Sequence, residues 1–182
     1  MTSTIETLVA ILDDRGIDYA RKGSGAGKAD HVVLELPGER KLKTTVLLTA
    51  GVHGVRVEAF VCRHADENFE GVFRYLLKRN RRLYGVAYTI DNVGDVYLVG
   101  QISEDALTAD EIDRVLGQVL EAADGDFNPL LELGFHTSIR REWAWRSSRG
   151  EPLHNLMAFE HLIDKETMPA EGEPVPEMYR SS

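Results

Sequence analysis

Apolar positions recur with two different periods along this chain, and the switches between them divide it into elements. Ile5, Leu8, Val9 and Leu12 fall at i, i+3, i+4 and i+7, one apolar stripe of a helix over residues 3–15. Ser3 and Glu6 have capping-box spacing, so each side chain can satisfy an amide that the first turn leaves open. Gly16 can close the helix in the left-handed region. The period then drops to two. Val32, Leu34 and Leu36 alternate in residues 31–36, and Leu42, Thr44, Val46 and Leu48 in residues 41–50. Val55, Val57, Ala59 and Val61 alternate in residues 55–62. Short turns at Pro37-Gly38 and between Gly51 and Gly54 join these strands, which predicts an antiparallel meander.

The helical period returns with Phe69, Val72, Phe73, Leu76 and Leu77, behind Asn68 as a cap and with Glu70 at the positive end. A second hairpin follows. Val86, Tyr88 and Ile90 alternate, residues 91–95 turn, and Val96, Leu98, Gly100 and Ile102 alternate again. Thr108 and Glu111 open a third helix whose stripe is Ile112, Val115, Leu116, Val119 and Leu120, and Gly125 can end it. Asn128-Pro129 starts a short extra helix. The order is α-β-β-β-α-β-β-α. Strands adjacent in sequence pair antiparallel, so the expected class is α+β: a single antiparallel five-stranded sheet with helices on one face. Its core should form where the second and third helices pack through Phe73, Leu76, Leu77, Ile112, Val115, Leu116 and Val119.

After residue 135 the character changes. Residues 136–166 form a basic, Trp-containing extension, expected to be partly ordered because Trp143, Trp145, Leu156, Met157 and Phe159 need burial. Residues 152–164 can form a short helix. Residues 167–182 hold three prolines and almost no apolar content, which predicts a disordered tail. Residues 1–135 are then the main domain.

Composition narrows the function classes. Of 182 residues, 43% are hydrophobic, an ordinary globular share. No stretch approaches the ~18 apolar residues that a membrane helix needs. Glu6, Asp13 and Asp14 interrupt the first residues, which does not read as a signal peptide. Cys62 is the only cysteine, which excludes an internal disulfide and fits the cytoplasm. With 30 acidic against 21 basic side chains the net charge is −9, a sign that repels phosphate backbones. Nucleic acid and membranes are therefore not the expected partners.

The motifs point away from catalysis. The segment 22–30 is Gly-rich, yet Gly23 and Gly27 are separated by three residues where a phosphate loop needs four before Gly-Lys, and Ala29 stands where Ser or Thr is required. A connector is the better reading. Cys62 and His64 share a strand face without a third group to orient the base, and no G-x-S-x-G occurs. His53, Cys62 and His64, or His154, His161 and Asp164, lack metal-ligand spacing. Asp13-Asp14, Glu104-Asp105 and Asp110-Glu111 sit at helix ends or turns, where capping and solvation account for them. No catalytic residue, metal or cofactor is expected.

Two cationic groups stand out in an acidic chain. Lys78, Arg79, Arg81 and Arg82 gather at the end of the second helix, where two would complement the helix dipole and the rest form a local positive patch. Arg140, Arg141, Arg146 and Arg149 interleave with Trp143 and Trp145, a mixture suited to stacking on aromatics, peptide or single strands, or to docking the tryptophans on their own domain. The expected partner-binding residues are Lys78, Arg79, Arg81, Arg82, Trp143 and Trp145. Tyr75, Leu83, Tyr84, Tyr88, Tyr97, Val99 and Phe60 exceed what one small sheet can cover. That surplus predicts a homodimer interface including Tyr75, Tyr84, Tyr88 and Tyr97, unless the C-terminal extension covers them.

Residues 69–102, with LLKRN at 76–80 and the hairpin AYTID followed by GDVYLVGQI and a capped amphipathic helix, resemble the YbjN family, whose members are described as sensory-transduction regulators. The likeness covers roughly residues 3–133. The element order also resembles class I type III secretion chaperones, small acidic dimers that hold partner polypeptides in extended form. What the resemblance implies is a cytoplasmic, non-enzymatic, chaperone-like binding module, homodimeric, that holds a protein segment or regulatory partner on its sheet face and second helix. Two alternatives stay open: a small-ligand protein or enzyme with a pocket between sheet and extension, and a nucleic-acid-associated regulator acting through the Arg/Trp segment.

Overall fold

The computed structural model describes residues 3–23 and 29–180, which divide into two compact units. The centre of the Gly-rich stretch, residues 24–28, lies outside the described residues. The first unit comprises residues up to His64 together with Phe73–Phe127; the second comprises Ala65–Val72 and Asn128 onward.

The first unit is a six-stranded antiparallel sheet with helices α1 (Thr4–Asp14) and α3 (Ala109–Gly125) against it. Its strands are β1 (Tyr19–Lys22), β2 (His31–Pro37), β3 (Lys43–Gly51), β4 (Gly54–Cys62), β5 (Val86–Ile90) and β6 (Val96–Ser103), in the order β1-β2-β3-β4-β6-β5. The α+β class and the antiparallel sheet agree with the sequence reading, but the sheet has six strands and not five. The extra strand is β1, four residues of which only Tyr19 is even partly covered. It holds its place by pairing its backbone with β2, from Tyr19 opposite Leu34 to Lys22 opposite His31.

The helix ends form as their side chains dictate. The Ser3 hydroxyl accepts from the Glu6 amide and the Thr108 hydroxyl from the Glu111 amide at 3.2 Å. On the helix-facing side of the sheet Val32, Leu34, Val46, Leu48, Val55, Val57, Val61, Val96, Leu98 and Ile102 are buried, with Leu8 and Leu12 of α1 and Ile112, Val115, Leu116 and Val119 of α3. Gly100 sits in this layer because nothing larger fits: a Cβ there would lie 2.0 Å from the Gly85 carbonyl oxygen.

Helix α2 (Phe69–Asn80) departs from expectation. Leu76 is buried at 4% exposure, but Phe73 and Leu77 are 39% and 68% exposed and do not join the core. The period places Phe73 and Leu77 on one stripe with Leu76, yet the covered face is narrower than the stripe. Leu42, assigned inward, is also exposed, because β3 begins one residue later.

The second unit is helical. It contains most of α4 (Phe127–Gly134), then α5 (His136–Arg149) and 3-10 turns at His154–Leu162, Lys165–Thr167 and Glu177–Tyr179. Phe135, Ile139 and Phe159 form its core, with Leu131 and Leu162 against it. The first turn of α5 is capped from a distant segment. Glu67 accepts from the Thr137 amide at 2.6 Å and its hydroxyl at 3.1 Å, and Asp66 accepts from the Ser138 hydroxyl at 2.7 Å. Two carboxylates at a helix N-terminus also suit its dipole. Gly150, at φ +64°, ends the helix.

Residues 167–180, in the segment expected to be disordered, include the 3-10 turn at Glu177–Tyr179. Tyr179 is buried, and its hydroxyl accepts from Arg140 at 3.1 Å and shares a proton with Thr167 at 2.6 Å. One aromatic with two polar partners ties down a segment that its prolines make look structureless.

Candidate protein-binding surface

Alternation puts a second set of side chains on the face of the sheet away from α1 and α3. Cross-strand register makes Val33, Leu47, Glu58, Val99 and Ala87 one row over β2, β3, β4, β6 and β5. Phe60, Tyr97 and Thr89 make the next row, and Thr49, Arg56 and Gln101 the row on the other side. Phe60 and Tyr97 meet edge to face, centroids 5.5 Å apart at 74°. Arg56 donates to Glu58 at 3.1 Å. Of these, Leu47, Arg56, Glu58, Phe60, Thr89, Tyr97 and Val99, together with Thr45, Ile90 and Asp91, line an open cavity of about 490 Å³. Leu47, Phe60, Tyr97 and Val99 are only half-buried. The result is a set of half-buried apolar side chains on either side of the Arg56–Glu58 pair.

The basic end of α2 resolves into two parts. Arg79 is turned inward. Its Nε donates to both oxygens of Asp126, at 2.9 and 2.7 Å, and its terminal nitrogen to Glu121 at 3.1 Å. Asp126 is 5% exposed and follows directly on α3. It also accepts from the Tyr75 hydroxyl at 2.6 Å and the Tyr88 hydroxyl at 2.7 Å. Burial, then the bond to Asp126, pushes both phenols far above their ordinary range. Tyr88, expected at a dimer interface, is buried at 6% exposure, because its strand turns it toward α3. Tyr75 is tied to the same carboxylate. Lys78, Arg81 and Arg82 are exposed, and their side chains have no hydrogen bond or ion pair among the described residues; with Tyr75 and Arg79 they line a cavity of about 550 Å³.

The other expected residues are dispersed. Tyr84 is 44% exposed, with Arg114 over its ring at 5.3 Å and its hydroxyl donating to Glu111. Trp143 is buried in the second unit, whereas Trp145 is 42% exposed with Arg149 over its ring at 4.7 Å. Cys62 is buried and its thiol is pushed up to about 11, chiefly by desolvation, which suppresses the thiolate. Among the described residues no three His, Cys, Asp or Glu side chains group as a metal site, and no helix is long and apolar enough to cross a membrane. Sequence reading missed Asp126, which stands in an acidic run. The i, i+4 pair Tyr75 and Arg79, both able to donate to one carboxylate, is the signal that could have pointed to it.

The edges of the sheet differ from its face. Strand β5 is an edge, and its outward backbone groups at Tyr88 are already bonded: the amide donates to Asn80 Oδ1 at 2.7 Å, and Asn80 Nδ2 donates to the carbonyl at 3.2 Å.

Comparison with known proteins shows the family of the chain. Solved structures that resemble the chain include the complex of ExoU and SpcU from the type III secretion system of Pseudomonas aeruginosa, with TM-score 0.48 and 17% identity over 69% of this chain and 96% of that one. The ExsC–ExsE complex gives TM-score 0.46 and 24% identity over 68% of this chain and 90% of that one. Among curated relatives, an uncharacterized protein of Mycobacterium tuberculosis strain H37Rv is 58% identical over 166 residues, 89% of this chain and 91% of that one. One of Mycobacterium leprae is 67% identical over 135 residues, 74% of this chain and 73% of that one. The family profile described as "YbjN: Putative bacterial sensory transduction regulator" matches residues 4–132, and the chain belongs to the YbjN family.

Proposed function

We propose that this chain is a non-enzymatic, cytoplasmic binding module that holds a segment of a protein partner on the open face of its sheet. The observation that carries the reading is the half-buried patch of Leu47, Phe60, Tyr97 and Val99 around the 490 Å³ cavity. An antiparallel sheet ordinarily gives such a face to water and polar residues. Half-buried apolar side chains beside the Arg56–Glu58 pair, with polar residues around them, are the composition of an interaction site. Lys78, Arg81 and Arg82 add a local positive potential to an acidic protein, which selects a partner segment with acidic residues. Family membership among sensory-transduction regulators is consistent with a role exercised by binding.

The test is affinity capture with the wild-type chain and with Phe60→Asp/Val99→Asp. A protein recovered in stoichiometric amount by the wild type and lost by the variant is the expected result. Identical recovery by both would sink the reading.

A homodimer is the second reading, and the exposed Phe73, Leu77 and Tyr84 favour it. These residues lie on α2 and just before the second hairpin, so an isologous contact would bring like patches together. Light scattering at micromolar concentration checks it: a mass of two chains for wild type, and of one for Leu77→Glu. One chain throughout removes the dimer and leaves the sheet-face reading intact.

A further inference from the structure

A second site lies wholly in the second unit, beyond the residues that the family profile covers. Ser138, Arg141, Glu142 and Trp145 succeed one another at i, i+3, i+4 and i+7, so they share one face of α5. Val175, Tyr179 and Arg180 of the C-terminal segment complete the walls of a cavity of about 580 Å³. That volume is in the range of small-molecule sites, ~300–1,000 Å³.

Most polar groups of this cavity are committed among the described residues, the exceptions being Arg141, the terminal nitrogens of Arg180 and the indole N–H of Trp145. Glu142 accepts from Arg146 at 2.7 Å, Ser138 donates to Asp66 at 2.7 Å, and Tyr179 is engaged with Arg140 and Thr167. Arg180 donates through Nε to the Val175 carbonyl at 2.8 Å, which leaves its terminal nitrogens. Arg141 is unmatched. Its Nε is buried without an acceptor, as is that of Arg140, and the Arg141 guanidinium makes no hydrogen bond or ion pair among the described residues. A buried donor without an acceptor is costly and rare in a finished fold. A guanidinium presents a fork of donors that fits an oxyanion, carboxylate or phosphate. The nearest carboxylate on the same helix, Glu142, is neutralised by Arg146, so the lining retains the charge of Arg141 and Arg180. The indole of Trp145 and the side chain of Val175 supply an apolar wall that a bare inorganic ion would leave unused.

We propose that this cavity binds a small organic anion, with its carboxylate or phosphate on Arg141 and Arg180 and its apolar body against Trp145 and Val175. The proposal is independent of the sheet face. Its first test needs no ligand. An arginine kept for a ligand contributes nothing to the empty fold, so Arg141→Leu should leave Tm unchanged or raise it. A fall of several degrees would make Arg141 a structural residue and overturn the proposal. The second test is a thermal-shift and calorimetric panel on the full chain: inorganic phosphate, AMP, adenosine, aromatic and aliphatic monocarboxylates, and an acidic peptide. At least one small organic anion at about 1 mM should raise the wild-type Tm by roughly 2–4 °C and bind one to one. Binding should weaken at least tenfold in Arg141→Leu and in Arg180→Gln. AMP binding without adenosine binding assigns a phosphate head; monocarboxylate binding assigns a carboxylate. Binding of the peptide alone, of inorganic phosphate alone, or of no panel member in an Arg141-dependent way overturns it.

Discussion

The two faces of the sheet are built from the same kinds of residue and have opposite fates. Leu98 and Val99 are neighbours on β6, one fully buried beneath α1 and α3 and the other half-open on the far side. Leu48 and Leu47 repeat the contrast on β3. Apolar chemistry therefore does not separate the core from the open face here. Coverage does, and coverage is decided by where the helices land. The same lesson holds for α2, where Leu76 is covered and Leu77 is not.

Four measurements can break or sharpen that contrast. The covered face tolerates one polar junction, Tyr75, Arg79 and Tyr88 on Asp126. Asp126→Ala strands a partly buried guanidinium and two hydroxyls, and should cost about 3–5 kcal/mol in denaturant unfolding. A cost below 1 kcal/mol would mean that the junction is not closed. Next, Leu98→Ala should cost ~2–5 kcal/mol, as for any emptied leucine site, while Val99→Ala should cost about 1 kcal/mol or less. Equal costs for the two would mean that the outer face is covered as well, and would remove it as a binding surface.

The third effect is smaller and appears only in acid. Asp124 accepts from the Arg40 and Lys41 amides at 2.8 and 2.9 Å, holding the turn after β2. Desolvation alone would raise its carboxyl, but the backbone hydrogen bonds and Arg40 outweigh it and hold the group below the usual range. A depressed carboxylate stabilises fully above its unfolded pKa of about 3.9 and loses that contribution as pH falls through the folded value. Asp124→Asn should therefore be less stable than wild type at pH 6, and the gap should close below about pH 4. A gap independent of pH contradicts this. The fourth effect is one of rate. With its thiol raised to about 11, Cys62 should react with iodoacetamide at pH 8 far more slowly in the native chain than in denaturant. Equal rates would place Cys62 at the surface.

Much of the first unit is legible in the sequence, because cap spacing and period are local properties. Ser3, Thr108 and the alternating strands of β2, β3, β4 and β6 need no knowledge of their neighbours. Strand β1 escaped because Tyr-Ala-Arg-Lys has almost no alternation; an edge strand with little to bury leaves no hydrophobic signal. Helix α5 escaped because its Arg and Trp residues break a simple stripe, and the carboxylates that cap it, Asp66 and Glu67, come from seventy residues away. Periodicity states which side chains share a face and is silent on what lies against it. For that reason the period puts Phe73 and Leu77 in a core that does not reach them, and the run of cations puts Arg79 among the partner-binding residues although its guanidinium is on Asp126.

Asn80 has a consequence for how chains meet one another. A sheet with open borders can grow by adding strands from further copies, the route to fibres and swapped assemblies. At β5 the primary amide of Asn80 imitates the peptide group of an incoming strand and occupies the bonding position at Tyr88. The opposite border, β1, is only four residues long and carries Arg21 and Lys22. Growth is thus blocked at one border by mimicry and discouraged at the other by brevity and charge. On the function proposed above, an apolar surface open to another chain has particular need of such a stop, because it directs encounters to the flat of the sheet and away from endless lateral addition.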